Sequence, residues 1–403
     1  MTRELLTVEE YLAEVLALVS PLSGVEETVL TEAGGRVLAS DVATRTAVPA
    51  FANSAMDGFA VRHADLSPGV ALRVVGEVAA GSSADPAIGV GEGVRIMTGA
   101  VLPTAADTVV QVEHTHVTSD GIVIDIVPAQ GTHVRGVGDD MAEGDRVLAA
   151  GTRLGPRELS ALAAAGWGEV PCVRRPVIGV ASTGDELVTP GGTLGRGQIF
   201  ESNATYLASA VLRDGGEPIV AGPVRDDEDS LRQTLDSLGR QCDLIVASGG
   251  VSVGDHDVVR LTLADGTFRH VAIQPGKPQG WAVWRVGGRS VPVIGLPGNP
   301  LSAALSYEMF VRPMLATFLG ATTPTWTPAV ASEPWTSPSG RVQIVPVVVG
   351  VDATGRQTVR PAHRRGSASH MVTSLAAADA IARVAADVTQ VRAGDLVTIR
   401  SLT

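Results

Sequence analysis

Hydrophobic and polar positions recur along the chain with helical spacing in some segments and with strand spacing in others. Residues 7–19, TVEEYLAEVLALV, follow the helical spacing, and Thr7 with Glu10 three positions later forms a capping box, which predicts a helix. From about residue 25 to 170, short apolar runs such as VALRVVGEV, DTVVQVEH and GIVIDIV are separated by Gly and Pro. They predict antiparallel β structure in one or two small domains, with a second helix over 155–167.

Residues 176–320 alternate between apolar, strand-like runs and amphipathic segments. The strand-like runs are PVIGVAS, EPIVAGPV, CDLIVASGG and VPVIGLPGNP, and the helical segments are SNATYLASAVLRDGG, DDEDSLRQTLDSLG and PLSAALSYEMFVRPMLATFLG. This alternation predicts a central doubly wound, mostly parallel α/β domain, in which ligands bind at the carboxyl ends of the strands. After the Pro/Thr-rich segment ATTPTWTP, residues 326–403 return to short strands and predict a small β-barrel or sandwich.

The composition indicates how many domains the chain can form and which classes of partner are excluded. With 403 residues, 45% of them hydrophobic and 18% charged, the chain is long enough for two to four domains. No apolar run approaches the ~18 residues of a membrane span, and the first residues lack the apolar core of a signal peptide, so we expect a cytoplasmic protein without membrane insertion. Cys172 and Cys242 predict buried thiols. The net charge of −12 argues against nucleic acid as a partner, so an anionic ligand needs positive potential of local origin.

Three polar loops follow predicted strands of the α/β region: STGDEL (182–187), SGGVSVGDHD (248–257) and GLPGNP (295–300). A single glycine-rich loop of this kind is more often only a turn. Because all three leave the carboxyl ends of strands in one sheet, we expect them to converge. Their small residues allow backbone N–H groups and helix N-termini to approach an anion.

Two of the three loops also carry carboxylates, at Asp185, Glu186, Asp255 and Asp257. Carboxylates beside a phosphate are favourable when a divalent cation neutralises both, which predicts a Mg²⁺ site. The alternative is that some of these acids cap helices, which fits Asp255 best. Lys277, held between prolines in QPGKPQG, suits a phosphate or oxyanion, and the alternative for it is a solvated turn lysine.

Polar clusters also occur in the N-terminal half, in NSAMDGFAVR (53–62), RIMTGAVLP (95–103) and VRGVGDDM (134–141). Physical reasoning alone interprets their most polar members as turn formers. These members are Asp57, Thr98, Asp139 and Asp140. The histidines of this half lack a convincing metal-ligand spacing; they are His63, His114, His116 and His133.

These motifs, together with GQIFESN and taken in their order along the chain, resemble the molybdopterin molybdenumtransferase family over essentially the whole chain. The resemblance implies an L-shaped, multi-domain subunit that pairs as a homodimer. The implied reaction is molybdate-dependent cleavage of adenylylated molybdopterin, which releases AMP and leaves molybdenum on the dithiolene. The fold class expected is multi-domain α/β plus β, with a small C-terminal β-barrel. The expected domains are 1–50 with 130–175 (elongated), 51–129 (inserted, β-rich), 176–325 (α/β) and 326–403 (barrel).

The resemblance also implies residue roles. Polar positions presented by one subunit, Asp57, Thr98 and Asp140, would face acidic positions in the α/β cleft of the other subunit. The implied catalytic residues are Asp57, Asp140, Glu186, Asp226, Asp257 and Lys277, and the implied Mg²⁺ ligands are Asp185, Glu186 and Asp257. The implied substrate-binding residues, which include the backbone N–H groups of 249–254, are Thr98, Thr183, Gly184, Ser248, Gly249, Gly250, Ser252, Gly254, Pro297, Gly298, Asn299, Ser302 and Arg341.

The sequence departs from the family pattern at three positions. His270 and Gln274 stand where some members carry basic residues upstream of PGKP, although Arg269 adjoins the first, and Ala52 stands where many members have Asp. Fewer fixed cations would weaken oxyanion binding, particularly above the histidine pKa of about 6.5.

Two other functions are compatible with this fold. A scaffold would bind a protein partner in the groove between the α/β and C-terminal domains, but the clustered carboxylates favour catalysis, because a pure scaffold does not need them. The upstream adenylyltransferase activity is disfavoured, because it needs only the α/β unit.

Overall fold

The computed structural model describes residues 5–251, 257–363 and 369–402. Its strands form a six-stranded sheet in the N-terminal half, a second six-stranded sheet in the α/β region and a closed barrel near the C-terminal end, with several two-stranded sheets. This arrangement confirms the expected fold class of multi-domain α/β plus β.

The N-terminal half is mainly β structure. Its helices are α1 (Val8–Leu16) and α2 (Pro156–Ala164), with 3-10 turns at Leu30–Glu32, His63–Asp65 and Val112–His114. Its strands are β1 (Val25–Val29), β2 (Val42–Ala43), β3 (Asn53–Ser54), β4 (Gly58–Val61), β5 (Ala71–Val78), β6 (Glu92–Ile96), β7 (Thr108–Gln111), β8 (Thr115–Thr118), β9 (Gly121–Ile124), β10 (Val134–Arg135), β11 (Arg146–Leu148) and β12 (Glu169–Val173). Six strands form a sheet in the order β7-β4-β6-β5-β9-β8, in which β5 and β6 run parallel and the other pairs run antiparallel.

The α/β region contains nine strands and five α-helices within the described residues. The strands are β13 (Val177–Thr183), β14 (Leu187–Val188), β15 (Ile199–Phe200), β16 (Glu217–Val224), β17 (Leu244–Ser248), β18 (Thr267–His270), β19 (Ile273–Gln274), β20 (Pro278–Val286) and β21 (Arg289–Leu296). The helices are α3 (Asn203–Arg213), α4 (Glu228–Gly239), α5 (Val258–Thr262), α6 (Pro300–Ser306) and α7 (Arg312–Leu319), with a π-helical segment, Tyr307–Val311, between the last two.

The central sheet has the order β16-β13-β17-β21-β20-β18. Strands β16, β13, β17 and β21 run parallel, as predicted, and β20 and β18 continue the sheet antiparallel. The chain places β16 on one side of β13 and then returns to place β17 on the other. The loops that follow β13 and β17 therefore leave the sheet at its topological switch point, where ligands bind in open α/β sheets.

The C-terminal region was predicted to form a small β-barrel or a sandwich, and it forms the barrel. Its elements are β22 (Thr327–Ala331), β23 (Trp335–Thr336), β24 (Val342–Val351), β25 (Gln357–Pro361), α8 (Thr373–Ala376), β26 (Ala380–Val384), β27 (Gln390–Val391) and β28 (Leu396–Ser401). Strands β24, β25, β22, β28 and β26 pair in that order, and β26 pairs again with β24, which closes the barrel. Strand β19 of the α/β region pairs with β24, so backbone hydrogen bonds join the two regions.

Helix α1 packs in the core of the α/β region. It begins with the predicted capping box, in which Glu10 N–H donates to Thr7 Oγ at 3.1 Å and Thr7 N–H donates to the Glu10 carboxylate at 2.8 Å. Tyr11 is fully buried, its ring meets Phe310 edge-on at 4.9 Å, and its hydroxyl donates to the Gly280 carbonyl at 3.2 Å. Helix α1 falls within the range predicted as the N-terminal domain, but it contributes to the core of the neighbouring α/β region.

The long helix predicted at the end of the α/β region is interrupted by its π-helical segment. Arg312 N–H donates to the Tyr307 carbonyl, five residues back. Pro313 has no N–H, so it cannot donate to the next carbonyl along the π-helix, that of Glu308. The guanidinium of Arg400, in β28, donates to this carbonyl instead. The apolar periodicity that predicted one continuous helix carries no signal for this exchange of partners.

The Glu308 carboxylate is fully buried inside the same segment. It accepts hydrogen bonds from Arg213 at 2.8 Å, from Arg312 at 3.0 Å and from the Tyr206 hydroxyl at 3.1 Å. Burial lowers the pKa of the nearby Arg400 to about 10, against the opposing attraction of Glu308, so this guanidinium stays charged at neutral pH. Glu308 is thus the central acceptor of a buried ion network.

Asp214, at the end of α3, is the second carboxylate of this network and is 5% exposed. It accepts from Arg213 at 2.7 Å, from Arg312 Nε at 3.1 Å and from the Tyr307 hydroxyl at 2.9 Å. Arg153, from the N-terminal half, donates to the Asp214 carbonyl at 2.9 Å. Side chains of the N-terminal half, the α/β region and the barrel therefore meet around one ion network.

We expect Glu308→Ala to lower the free energy of unfolding by about 3–5 kcal/mol, because the buried Arg312 and the partly buried Arg213 then share one carboxylate instead of two. Urea unfolding followed by tryptophan fluorescence measures this loss. The matched control is Glu228→Ala. Its partner Arg232 lies four residues along α4, both side chains are about half exposed (49% and 48%), and such a pair is worth about 0–1 kcal/mol. Equal losses in the two variants would contradict the assignment.

Candidate functional site

The carboxyl ends of the four parallel strands open into one cleft with a volume of about 440 Å³. The loops after β13, β17 and β21 line it, as does Asp226 after β16. The predicted site residues that line it are Thr183, Gly184, Glu186, Asp226, Ser248, Gly249, Gly250, Asp257, Pro297, Gly298 and Asn299. The expected convergence of the three loops is therefore observed.

The loops approach each other closely because glycine stands where they meet. Gly249 has φ +100°, and a Cβ there would lie 2.7 Å from Thr183 Oγ and 2.8 Å from the Thr183 carbonyl oxygen. The Cα of Gly249 would in turn lie 3.4 Å from a Cβ placed on Gly298. Any larger residue at Gly249 would push the first and second loops apart.

Two backbone N–H groups of the cleft loops, one of them among the predicted donors of 249–254, are used within the fold. The N–H of Gly184 donates to the Val224 carbonyl at 3.2 Å, and the N–H of Gly249 donates to the Leu296 carbonyl at 3.1 Å. These amides are therefore not available to an anion, contrary to the expectation for Gly249. The two glycines shape the loops instead.

The carboxylates of the cleft repel one another. Burial raises the pKa of Asp226, and the negative charges of Glu186, Asp185 and Asp257 raise it further. Asp226 and Asp185 are joined through the backbone, since each N–H donates to the carboxylate of the other at 3.3–3.4 Å. This wall of the cleft favours a cation or a proton.

A metal ion would need oxygen atoms from its ligand as well as from the protein. No group of three or more His, Cys, Asp or Glu side chains in the described ranges is arranged to hold a metal by itself. Mg²⁺ is commonly bound by one or two carboxylates together with waters and substrate phosphates. Glu186, Asp226 and Asp257 fit that partial role.

Glu201, within the GQIFESN motif, is a buried cleft residue for which the sequence predicted no role. It is 5% exposed, and its carboxylate accepts from Ser182 Oγ at 2.9 Å and from Ala204 N–H at 2.7 Å. Ser182 Oγ also lies 2.9 Å from Ser248 Oγ, which ties the ends of β13 and β17 together. The position of Glu201 directly before α3 was the available signal, since an acid there stabilises a helix N-terminus.

Buried oxygen atoms without a hydrogen-bond partner also lie at the cleft. Within the described residues, Thr183 Oγ and Asn203 Oδ1 have no partner, while Asn203 Nδ2 donates to the Gly298 carbonyl at 2.8 Å. Buried polar atoms of this kind normally find a partner in a folded protein. Their presence here is consistent with a site that receives polar groups from a ligand.

Several predicted site residues of the α/β and C-terminal regions lie beside the cleft without lining it. Lys277 belongs to the turn before β20, whose next residue, Pro278, does line the cleft. Arg341 donates to Gln274 Oε1 at 2.9 Å, which brings a guanidinium from the C-terminal region to this turn. Ser302 is buried in α6, and Asp185 does not line the cleft. Ser252, Gly254 and Asp255 lie outside the described residues.

The C-terminal region also touches the third loop. Leu301 N–H, in the first turn of α6, donates to the Ser369 carbonyl at 2.9 Å. Sequence reasoning missed this contact, although the Gly/Ser-rich stretch GSASH (366–370) is polar and follows two arginines. Residues 366–368 of this stretch, like the two arginines before it, are outside the described residues.

The three N-terminal motifs assemble into one exposed cluster. Asn53 pairs with Val101 and Arg135, which joins the first motif to the other two. Thr98 N–H and Oγ both donate to Asp57 at 2.7 Å, and these bonds hold the pKa of Asp57 below its usual value. This N-terminal cluster, which includes Asp140, does not line the cleft of its own chain.

None of the helices in the described ranges is both long and apolar enough to cross a membrane.

Three family descriptions match successive parts of the chain. Residues 6–166 match the MoeA N-terminal region (domain I and II), residues 179–317 match the probable molybdopterin binding domain, and residues 328–402 match the MoeA C-terminal region (domain IV). The matched segments together span nearly the whole sequence, in the order of the resemblance.

Relatives and solved structures agree with these matches. Molybdopterin molybdenumtransferase 2 of Mycobacterium tuberculosis (strain ATCC 25618 / H37Rv) is 38% identical over 93% of this chain and 94% of its own length. The molybdopterin molybdenumtransferase of Nostoc sp. is 37% identical over 78% of this chain and 74% of its own length. The structure of a molybdopterin biosynthesis moeA protein from Pyrococcus horikoshii OT3 superimposes with a TM-score of 0.83 at 28% identity, and covers 99% of this chain and 100% of that chain. The chain therefore belongs to the molybdopterin molybdenumtransferase family.

Proposed function

We propose that this transferase inserts molybdenum from molybdate into adenylylated molybdopterin, with release of AMP, in a Mg²⁺-dependent reaction. The observation that carries the proposal is the convergence of three small-residue loops with Glu186, Asp226 and Asp257 in one cleft at the switch point of the sheet. The substrate contains a phosphoanhydride, which is a polyanion. Such a ligand suits a cleft whose helices begin at the ligand and whose carboxylates favour a cation.

Each group of cleft residues has a distinct part in this reaction. The N-terminal end of α6 faces the cleft and orients the phosphate groups through its positive end, whereas the start of α3 already receives the Glu201 carboxylate. Mg²⁺, when bound, would supply the charge neutralisation that lets carboxylates and phosphoanhydride share the cleft. Glu186, Asp226 and Asp257 would bind the Mg²⁺ ion. Lys277 and Arg341 provide positive charge beside the cleft. Binding in this form orients the phosphoanhydride for cleavage and keeps the leaving AMP oriented.

We propose further that the active form is a homodimer in which the N-terminal cluster of one subunit completes the cleft of the other. Asp57, Thr98 and Asp140 do not line the cleft of their own chain, yet the first two form a fixed, exposed, negatively charged pair. An ordered polar cluster of this kind is typical of a binding or catalytic surface. A cytoplasmic location agrees with the substrate of such an enzyme.

We expect purified protein supplied with adenylylated molybdopterin, Mg²⁺ and molybdate to release AMP, and Asp257→Asn to abolish most of this release. The substitution removes a negative charge from the cleft and keeps the size of the side chain. Chromatographic measurement of AMP checks it, with Asp229→Asn, at the exposed start of α4, as the control expected to retain activity. If the wild-type protein binds the pterin but releases no AMP at any molybdate concentration, the scaffold function replaces the enzymatic one.

We expect Asp226→Asn to raise the thermal unfolding midpoint at pH 7 and to abolish AMP release. The folded-state pKa of Asp226 is raised, so the folded protein loses stability as pH rises from the ordinary value of 3.8 through the raised value. The asparagine side chain cannot ionise, so the variant does not lose stability in this way. Its higher unfolding midpoint relative to the wild type should therefore disappear at lower pH. In addition, Mg²⁺ should stabilise the wild type more than the variant.

The adjacent Asp227 is the matched control for this experiment. Its carboxylate accepts from Ser230 N–H at 2.8 Å at the start of α4, and this bond lowers its pKa. Asp227→Asn should therefore lower the unfolding midpoint at pH 7, opposite in sign to Asp226→Asn. The same sign for both variants would contradict the electrostatic account of the cleft.

The shared site predicts complementation between two inactive variants. In a mixed dimer of Asp57→Asn and Asp257→Asn subunits, one site keeps both native residues and the other site loses both. Random mixing makes about half of the dimers mixed, so AMP release should recover to about one quarter of the wild-type rate. Recovery is measured after the purified variants are co-refolded or co-expressed. Activity that stays at the level of the separate variants would place both acids within one subunit's site.

A further inference from the structure

Phe51 and Phe200 are the only exposed phenylalanine, tyrosine or tryptophan side chains in the described residues, and each is 46% exposed. Phe51 adjoins the N-terminal cluster, whereas Phe200 lines the cleft. Burial of an aromatic ring is strongly favourable, so an exposed ring inside a cleft of glycines and carboxylates calls for a specific partner.

The backbone fixes Phe200 at the wall of the cleft. Ile199 N–H donates to the Glu186 carbonyl at 2.9 Å, and Glu201 N–H donates to the Val188 carbonyl at 2.9 Å. These two bonds lie on either side of Phe200 and pair β15 with β14. The ring is therefore presented from paired backbone, which lowers the conformational entropy lost when a ligand binds.

Leu187, Ile199 and Phe200 form an apolar wall in the same cleft as the three polar loops. A ligand that fills the cleft must present anionic oxygen atoms to the loops and a flat apolar surface to this wall. We propose that Phe200 stacks on a planar nitrogen heterocycle of the bound substrate, which is either its purine or its pterin ring. The inference rests on the proposed function for the identity of the substrate, and it assigns the surface that binds one of its rings.

The stacking is tested by ligand binding to the full-length protein, with Phe200→Ala as the disruptive variant and Phe200→Tyr as the conservative one. The matched control is Leu194→Ala, because Leu194 is 42% exposed, lies between β14 and β15 and does not line the cleft. The probes are AMP, pterin-6-carboxylate and inorganic pyrophosphate, measured by isothermal titration calorimetry. Pyrophosphate has the anionic oxygens without a ring.

We expect Phe200→Ala to weaken binding of AMP or of pterin-6-carboxylate by about 5- to 150-fold, the range for one base stacked on an aromatic side chain. Phe200→Tyr and Leu194→Ala should retain the wild-type affinity for that probe, and all variants should bind pyrophosphate equally. The ring whose affinity falls is the ring that Phe200 contacts.

Three outcomes would overturn the proposal: a wild-type protein that binds neither ring probe, unchanged affinity of Phe200→Ala for both of them, or an equal loss of pyrophosphate binding. Dissociation of the dimer by Phe200→Ala in analytical ultracentrifugation, without a ring-specific loss, would show instead that a second copy covers the ring. Measuring AMP release on the same preparations separates this proposal from the proposed function. If Phe200→Ala loses affinity for one ring but the wild-type protein releases no AMP, the stacking proposal is supported and the proposed reaction is contradicted. If the wild-type protein releases AMP but Phe200→Ala shows no ring-specific loss, the reaction is supported and the stacking is contradicted.

Discussion

The buried ion network around Glu308 and Asp214 is the interaction on which the relative placement of the chain's regions depends. Charges can be buried only when each finds partners, so the network forms only when all its contributors are in position. Arg213 and Arg312 also donate to carbonyl groups at the end of the last barrel strand, at 2.8 and 3.2 Å. Arg400 reaches back from that strand to the π-helical segment. Packing of apolar surfaces alone tolerates small shifts, whereas these directional contacts do not.

The network also sets the geometry of the cleft, because the helices that carry it begin there. Helix α3 starts at Asn203, which donates to the Gly298 carbonyl at the cleft, and it ends at the Arg213–Asp214 pair. Helix α6 starts at Pro300, which lines the cleft, and the helix continues into the π-helical segment. Each helix thus begins at the cleft and is held by ion pairs at its far end. These helices therefore also position the loops that meet at Gly249, which lies close to Thr183 and Gly298.

The central part of this site was predictable from sequence because it depends on local patterns. Alternating strands and helices imply a parallel sheet, and a parallel sheet brings its carboxyl-end loops together. The antiparallel strands β18 and β20 were not predicted, because QPGKPQG reads as a turn and hides the strand that begins at Pro278. Pro313 is a local signal that the last helix is interrupted, although the apolar periodicity does not register it, whereas the contact of the π-helical segment with Arg400 joins residues distant in sequence. Glu201 was overlooked for a similar reason, since its importance lies in its contact with Ser182 on another strand.

The position of Gln274 illustrates how a three-dimensional contact changes the meaning of a sequence departure. A neutral residue at this position predicts weaker oxyanion binding, because a fixed cation is expected there. The structure brings the Arg341 guanidinium to within 2.9 Å of the Gln274 side-chain oxygen, so positive charge is present at the turn. An amide oxygen can orient a guanidinium, whereas a second cation at position 274 would repel it. The C-terminal barrel, joined to this segment through the pairing of β19 with β24, thereby supplies the positive charge that position 274 lacks.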